Sequence, residues 1–130
     1  MYAFWKKGFI QSTMEREPVI QFRNCTKLFD SKTILRNISL EVNEENSFTS
    51  ILGKSGSGKT TLLRLIAGLE KLNEGSIHIK GKIVSEGSKI IVPPHERNVG
   101  FIFQDLALWP HFTVYQNIEF GLKQNYANDE

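Results

Sequence analysis

Apolar residues recur along this chain in two rhythms, one of period two and one of period 3.6. Val19-Ile-Gln-Phe22 is β-branched and aromatic with partial alternation and predicts a short first strand. Thr33 to Val42 predicts a second, clearest at Ile38-Ser-Leu-Glu-Val42, and Asn43-Glu-Glu-Asn46 supplies the turn residues that close it. The two suggest a hairpin or a small antiparallel sheet. Ser47-Phe-Thr-Ser-Ile-Leu52 predicts a strand running straight into Gly53, although Thr49 and Ser50 make it less apolar than a strand buried on both faces. The rhythm then changes: Leu62, Leu63, Leu65, Ile66 and Leu69 recur at helical spacing, are expected to pack into the core, and meet Gly68 as a stop signal. Asn73-Glu-Gly75 turns the chain into Ser76-Ile-His-Ile79, a strand with Ile77 and Ile79 on one face and His78 on the other, where solvent is expected. Lys80-Gly81 and Glu86-Gly-Ser88 read as turns, Ile90-Ile-Val92 as a short apolar run, and Pro93-Pro94 as a break. Val99 to Phe103 is the last expected strand. Thr113 caps a helix running to about Lys123, with Gln116 at the capping-box position.

Strands flanking one long helix predict an α/β architecture, a thin one. The totals fit a single globular domain: 130 residues, 40% apolar and 23% charged. A net charge of +2, with the lysines scattered, argues against a nucleic-acid partner. Cys25 is the only cysteine, so no internal disulfide forms; a small buried hydrophobe in a reducing compartment is the expectation. No run approaches the roughly 18 apolar residues a membrane span needs, so membrane association is expected only through a partner. Residues 1–14 lack the apolar core of a signal peptide and read as a disordered extension, with Met14 an alternative start to Met1.

One stretch carries chemistry. Gly53 to Thr61, reading Gly-Lys-Ser-Gly-Ser-Gly-Lys-Thr-Thr, fits the phosphate-cradling pattern G-x-x-x-x-G-K-[ST] through Gly53, Gly58, Lys59 and Thr60. Its glycines let backbone N–H groups point inward, and the helix that follows adds the positive end of its dipole. Lys59 is expected on the β- and γ-phosphates, and the Thr60 hydroxyl on a Mg²⁺ otherwise held by phosphate oxygens and water.

With this loop, two further stretches resemble the nucleotide-binding subunit of an ATP-binding cassette (ABC) transporter. Thr26-Lys-Leu-Phe29 looks like that family's A-loop, which implies that Phe29 stacks on adenine; the family more often has Tyr, and stacking needs only a π-face. Gly53 to Thr61 followed by Leu62-Leu-Arg-Leu-Ile-Ala-Gly-Leu-Glu70 looks like the Walker A loop and its helix, with Lys54 where many members have Pro. The resemblance implies that the Ser55, Gly56, Ser57, Gly58, Lys59, Thr60 and Thr61 backbone wraps the phosphates and that Thr61 contacts the α-phosphate. Val99-Gly-Phe-Ile-Phe-Gln104-Asp-Leu-Ala-Leu-Trp-Pro-His-Phe-Thr resembles the Q-loop, which implies that Gln104 ligates Mg²⁺ and positions the attacking water. The preceding Pro93-Pro-His-Glu-Arg-Asn-Val-Gly100 is similar to importers of sugars, polyamines, ferric iron and sulfate. His111 is not the family's switch histidine, which lies much later.

The resemblance covers about residues 19 to 123 and implies a P-loop NTPase of the ABC type, truncated after the Q-loop and the start of the helical subdomain. Residues 15–107 would form the N-terminal part of the ATPase core and residues 108–130 the start of the helical subdomain. The chain contains no Ser-Gly-Gly-Gln signature and no apolar strand ending in Asp-Glu to supply the general base; Asp129-Glu130 follows the polar Asn125 to Asn128. The family's catalytic strand packs beside the Walker A strand, so marginal stability or aggregation is expected of this chain alone. The implied function is ATP and Mg²⁺ binding within an importer that couples ATP hydrolysis to solute uptake, without turnover by this chain. Its implied partners are transmembrane permease subunits and a second nucleotide-binding domain at the cytoplasmic face of the membrane. Two other readings stand beside it: a non-enzymatic remnant or split half-domain needing a second half, and a different P-loop kinase or GTPase.

Overall fold

The computed structural model describes residues 17–43, 48–104 and 108–126. The chain divides after Val99 into two compact units. The first is built on five antiparallel strands: β1 (Ile20–Phe29), β2 (Lys32–Val42), β3 (Glu74–Ile79), β4 (Lys82–Glu86) and β5 (Lys89–Ile90), in the spatial order β2-β1-β3-β4-β5. One helix, α1 (Lys59–Ala67), lies between β2 and β3 in sequence.

β1 is the central organiser, and at ten residues it is longer than Val19–Phe22 alone predicts. It pairs with β2 on one side and β3 on the other, so Phe22 stands between Leu40 and Ile77. Its pairing shifts between Phe22 and Cys25, with Asn24 at φ 50°, a left-handed conformation that Asn tolerates better than most residues. The bulge extends the strand past an otherwise polar stretch. β1 and β2 are joined through Asp30 and Ser31, and β3 and β4 through Lys80 and Gly81, both at positive φ as a two-residue hairpin turn requires. β4 went unread in the sequence because Lys82-Ile-Val-Ser-Glu86 is a short run caught between two turn signals.

The core forms where the sheet meets α1. Phe22, Cys25, Leu35, Ile77 and Val84 from the strands pack with Leu62 and Leu65 from the helix and with Leu72. Each large apolar side chain buried there stabilises by about 1.5–3 kcal/mol. Leu63 points outward instead, 46% exposed, because a helix on a single sheet buries only one stripe, and Leu69, past the end of the helix, is 36% exposed. Gly68 ends the helix as expected: at φ 78° its N–H and that of Leu69 return to the carbonyls of Leu65 and Arg64. Cys25 is fully buried, and its Sγ–H donates to the Ser76 carbonyl at 3.1 Å. Burial pushes the thiol above its ordinary range.

Three further expectations are corrected. Residues 48–52 form no strand: they pair with nothing among the described residues, and Phe48 and Leu52 are 96% and 91% exposed. Residues 99–103 likewise form no strand, and Ile102 is 93% exposed. β-branched and aromatic composition shows what suits a strand, but a ladder partner makes one. His78 is buried, not solvated, because β3 is interior: Gln21 of β1 and Ile83 of β4 flank it, and its Nε2 lies 3.0 Å from Ser76 Oγ. Desolvation, reinforced by the Arg23 charge, lowers its pKa.

The second unit, described by itself, holds α2 (Val114–Tyr126). Its start is the capping box read from the sequence: the Thr113 N–H donates to Gln116 Oε1 at 2.8 Å, and the Gln116 N–H to Thr113 Oγ1 at 3.2 Å. Asn117 Oδ1 accepts from the Trp109 N–H, and the Trp109, Phe112 and Phe120 rings cluster with centroids 6.1–6.3 Å apart. The N-terminal extension to residue 14, the turn residues 44–46 and the terminal Asp129-Glu130 lie outside the described residues.

Candidate functional site

The phosphate loop enters α1 at Gly58, the helix N-cap, which has φ 91°. A left-handed conformation there turns the chain from the loop into the helix, and only glycine adopts it freely. The same residue sits against β2: a Cβ on Gly58 would lie 3.0 Å from both Ile34 Cγ2 and Leu35 Cδ2. The loop is thus seated on the sheet at a point where no side chain fits. Leu62 donates the first intrahelical bond, to the Gly58 carbonyl at 2.9 Å. The N–H groups of Lys59, Thr60 and Thr61 precede it and have no carbonyl to reach within the helix.

No side chain caps this terminus, and no acidic residue occupies the first turn. The orphan donors and the positive end of the dipole are therefore uncompensated by the protein, an arrangement that favours an anion. Lys59 crosses the loop, donating from Nζ to the carbonyls of Gly53 and Lys54, each at 2.8 Å, with Ser57 Oγ at 3.5 Å. Ser57 N–H in turn donates to the Lys54 carbonyl at 3.2 Å. The ammonium and the loop backbone hold one another in a curved conformation. Ser55 to Ser57 and Thr60 are exposed, and Lys59 and Thr61 are half-buried, so the concave side is open.

Phe29 stands at the end of β1, 41% exposed, with Lys27 Nζ 4.4 Å from its ring centroid. It pairs with Lys32 at the start of β2, and Gly58 touches Ile34 and Leu35 two to three residues further along that strand. At about 3.3 Å per residue, the aromatic platform and the loop are separated by roughly 7–10 Å along β2. The β1–β2 hairpin thus carries both ends of the candidate site, the platform on β1 and the seat of the loop on β2. Gln104 is exposed and belongs to the second unit.

A family model described as ABC transporter matches residues 35–130. The chain belongs to the ABC transporter family. This removes the kinase and GTPase alternatives. The family member is 50% identical over 115 residues to the spermidine/putrescine import ATP-binding protein PotA of Acetivibrio thermocellus, covering 88% of this chain and 31% of that protein. To the protein of the same name from Pasteurella multocida it is 42% identical over 122 residues, covering 93% and 31%. The chain thus spans about a third of the length of these curated relatives. Among solved structures it is similar to the dimeric structure of a bacterial ABC transporter cassette, with a TM-score of 0.69 and 33% identity over 80% of this chain and 47% of that one. It is also similar to a bacterial Atm1-family ABC exporter with ATP bound, with a TM-score of 0.68 and 30% identity over 80% of this chain and 18% of that one. The fold is that of an ABC-type P-loop NTPase.

The residues of this ABC family member fit a nucleotide's phosphates: an exposed loop spanned by the Lys59 ammonium, followed by a helix N-terminus with orphan donors, no side-chain cap and no acid. For the metal, no group of three or more His, Cys, Asp or Glu comes together among the described residues. A Mg²⁺ here would take most of its oxygen ligands from the nucleotide and water, with the exposed Thr60 hydroxyl as a protein ligand.

One residue of structural weight was missed in the sequence. Arg97 is 5% exposed, and all five of its N–H donors are used: Nε to the Val92 carbonyl, Nη1 to Leu65 and Ile66, and Nη2 to the Val84 carbonyl and Ser85 Oγ, at 2.7–3.0 Å. It joins the last carbonyls of α1 to β4 and the segment after β5. A Cβ on Gly68 would fall 2.6 Å from Arg97 Nε, so the helix cap and this clamp were built together. Desolvation lowers the Arg97 pKa.

Proposed function

We propose that this chain is the ATP-binding part of an ABC importer, holding ATP and Mg²⁺ through Phe29, Gly53, the Ser55–Thr61 loop and Gln104. The observation that carries the reading is the phosphate loop itself: uncapped amide donors lie at the start of α1 and Lys59 spans the loop, while Phe29 offers a π-face at the end of β1, the strand paired with the one that seats the loop. Lys59 and the amides of residues 55–61 would bind the phosphates, Phe29 would stack on the adenine and Thr60 would ligate Mg²⁺, while the family resemblance implies that Gln104 ligates the metal and orients water. Bound ATP supplies the phosphoryl bond whose hydrolysis drives uptake. The relatives named for spermidine/putrescine import favour a polyamine as the solute of the complete system.

The chain's sequence holds neither the family's signature nor its general base, so we propose binding without turnover. In the complete system, permease subunits and a second nucleotide-binding domain would join it at the cytoplasmic side of the membrane; no helix among the described residues is long and apolar enough to cross one. Calorimetric titration of the purified chain with MgATP tests the reading. Saturable one-to-one binding, reduced at least tenfold in Lys59→Ala and without phosphate release, is the expected result. Equal affinity in the variant would refute the site, and phosphate release that depends on Lys59 would refute the absence of turnover.

A further inference from the structure

Phe29 does not stand alone at the end of its strand. Lys27, two residues earlier and on the same face, is 8% exposed, and its ammonium sits 4.4 Å from the centre of the Phe29 ring. That ammonium is held from behind by Glu70 Oε2 at 3.2 Å. Glu70, just past the C-terminal end of α1, also faces Arg64 Nη2 of that helix at 3.6 Å. The backbone beside this cluster is pinned to the same segment. The Leu28 N–H donates to Asn73 Oδ1 at 2.8 Å, and the Asn73 N–H donates to the Thr26 carbonyl at 2.9 Å. The end of β1 is therefore tied to the stretch that leaves α1 by one backbone–backbone hydrogen bond, one backbone bond to the Asn73 side chain and a largely buried ion pair.

We propose that Lys27, anchored by Glu70, is a positioning residue for nucleotide binding: it covers one face of Phe29 and holds the ring so that the opposite face receives the base. The inference rests on the reading of Phe29 as the base platform. An aromatic ring at a strand end, 41% exposed, would otherwise sample several rotamers, and ordering it would oppose ligand binding. A partly desolvated cation over the ring supplies that order in advance through its attraction to the π-face. Because the ammonium is buried against Glu70, it adds no free charge at the mouth of the site. Its effect should be confined to ligands that carry a base.

Titrations with MgATP and with magnesium tripolyphosphate separate this role from a general loosening of the fold. Lys27→Met should weaken MgATP binding about two- to fivefold, the range expected for one cation–π contact, and leave tripolyphosphate binding unchanged. The loss should vanish in a Phe29→Ala background, and Lys27→Arg should retain wild-type affinity because guanidinium also stacks on aromatic faces. Should Lys27→Met not fold, Glu70→Gln releases the ammonium without removing its stem and should give the same ATP-selective loss. The proposal is overturned if Lys27→Met and Glu70→Gln bind MgATP as the wild type does, or if they lose tripolyphosphate binding in equal measure. A Phe29→Ala variant with unchanged MgATP affinity would overturn the base-stacking reading itself, a separate result.

Discussion

Arg97→Lys is the substitution whose consequence can be worked furthest from the structure. The guanidinium donates five hydrogen bonds, to the carbonyls of Leu65, Ile66, Val84 and Val92 and to Ser85 Oγ. A lysine keeps the positive charge but has three donors on one nitrogen, so at least two buried acceptors lose their partner. Each orphan costs about 1–3 kcal/mol, which puts the loss at roughly 2–6 kcal/mol. Domains of this kind are stable by only about 5–15 kcal/mol. The assay is urea unfolding followed by circular dichroism, in sucrose so that the variant remains partly folded. With a slope of about 1–3 kcal/mol/M, a loss of 3 kcal/mol moves the midpoint down by roughly 1–3 M. Because the clamp holds the C-terminal end of α1 and not its phosphate-facing start, MgATP affinity measured well below the midpoint should change little. A midpoint shift worth less than about 1 kcal/mol at unchanged slope would refute the reasoning, since it would mean that water or a rearranged backbone satisfies the acceptors.

Gly58→Ala forces a Cβ into a left-handed conformation at φ 91° and against Ile34 and Leu35; it should cost about 1–3 kcal/mol in a thermal melt and weaken MgATP binding, and an unaffected melt would contradict it. His78 has a folded pKa below its unfolded value of about 6.5, so the unfolded chain binds more protons in the window between the two. The sign follows: the contribution of this group is full above the unfolded pKa, and stability is lost as pH falls from there through the folded pKa, a dependence that His78→Gln should flatten in urea melts run across that range. Leu52→Ser replaces a side chain that is 91% exposed; it should leave the melting temperature within the range of a surface change, about 0.5 kcal/mol, while reducing light scattering on concentration.

The legible parts of this fold are those whose signal is local. Gly53 to Thr61, the Gly68 stop and the Thr113–Gln116 box each depend on residues within one or two turns of one another, and the structure forms them as the spacing predicts; of the helical stripe, Leu62, Leu65 and Ile66 pack on the core while Leu63 and Leu69 do not. The antiparallel hairpin of β1 and β2 was legible as a type, though the bulge at Asn24 concealed how far β1 runs. The unread parts depend on residues far apart. An arginine after Pro93-Pro94 reads as a surface residue until the fold brings Leu65, Ile66, Val84, Ser85 and Val92 around it. Alternation placed His78 on the opposite face from Ile77 correctly, but whether that face meets solvent depends on the strands on either side. Residues 48–52 and 99–103 have strand composition, and composition supplies no partner. For the candidate site, Lys59 and the loop were legible from the motif, whereas Lys27 was not: nothing local shows that its ammonium bridges Phe29 and Glu70.

The account centres on one anion-binding loop and one aromatic platform carried by the same β1–β2 hairpin, and amide and aromatic chemical-shift mapping during a MgATP titration tests it most directly. The largest shifts should fall on the amides of Ser55 to Thr61 and on the Phe29 ring, with tripolyphosphate reproducing the first set and not the second. Shifts centred elsewhere, or a Phe29 ring that responds equally to tripolyphosphate, would contradict it.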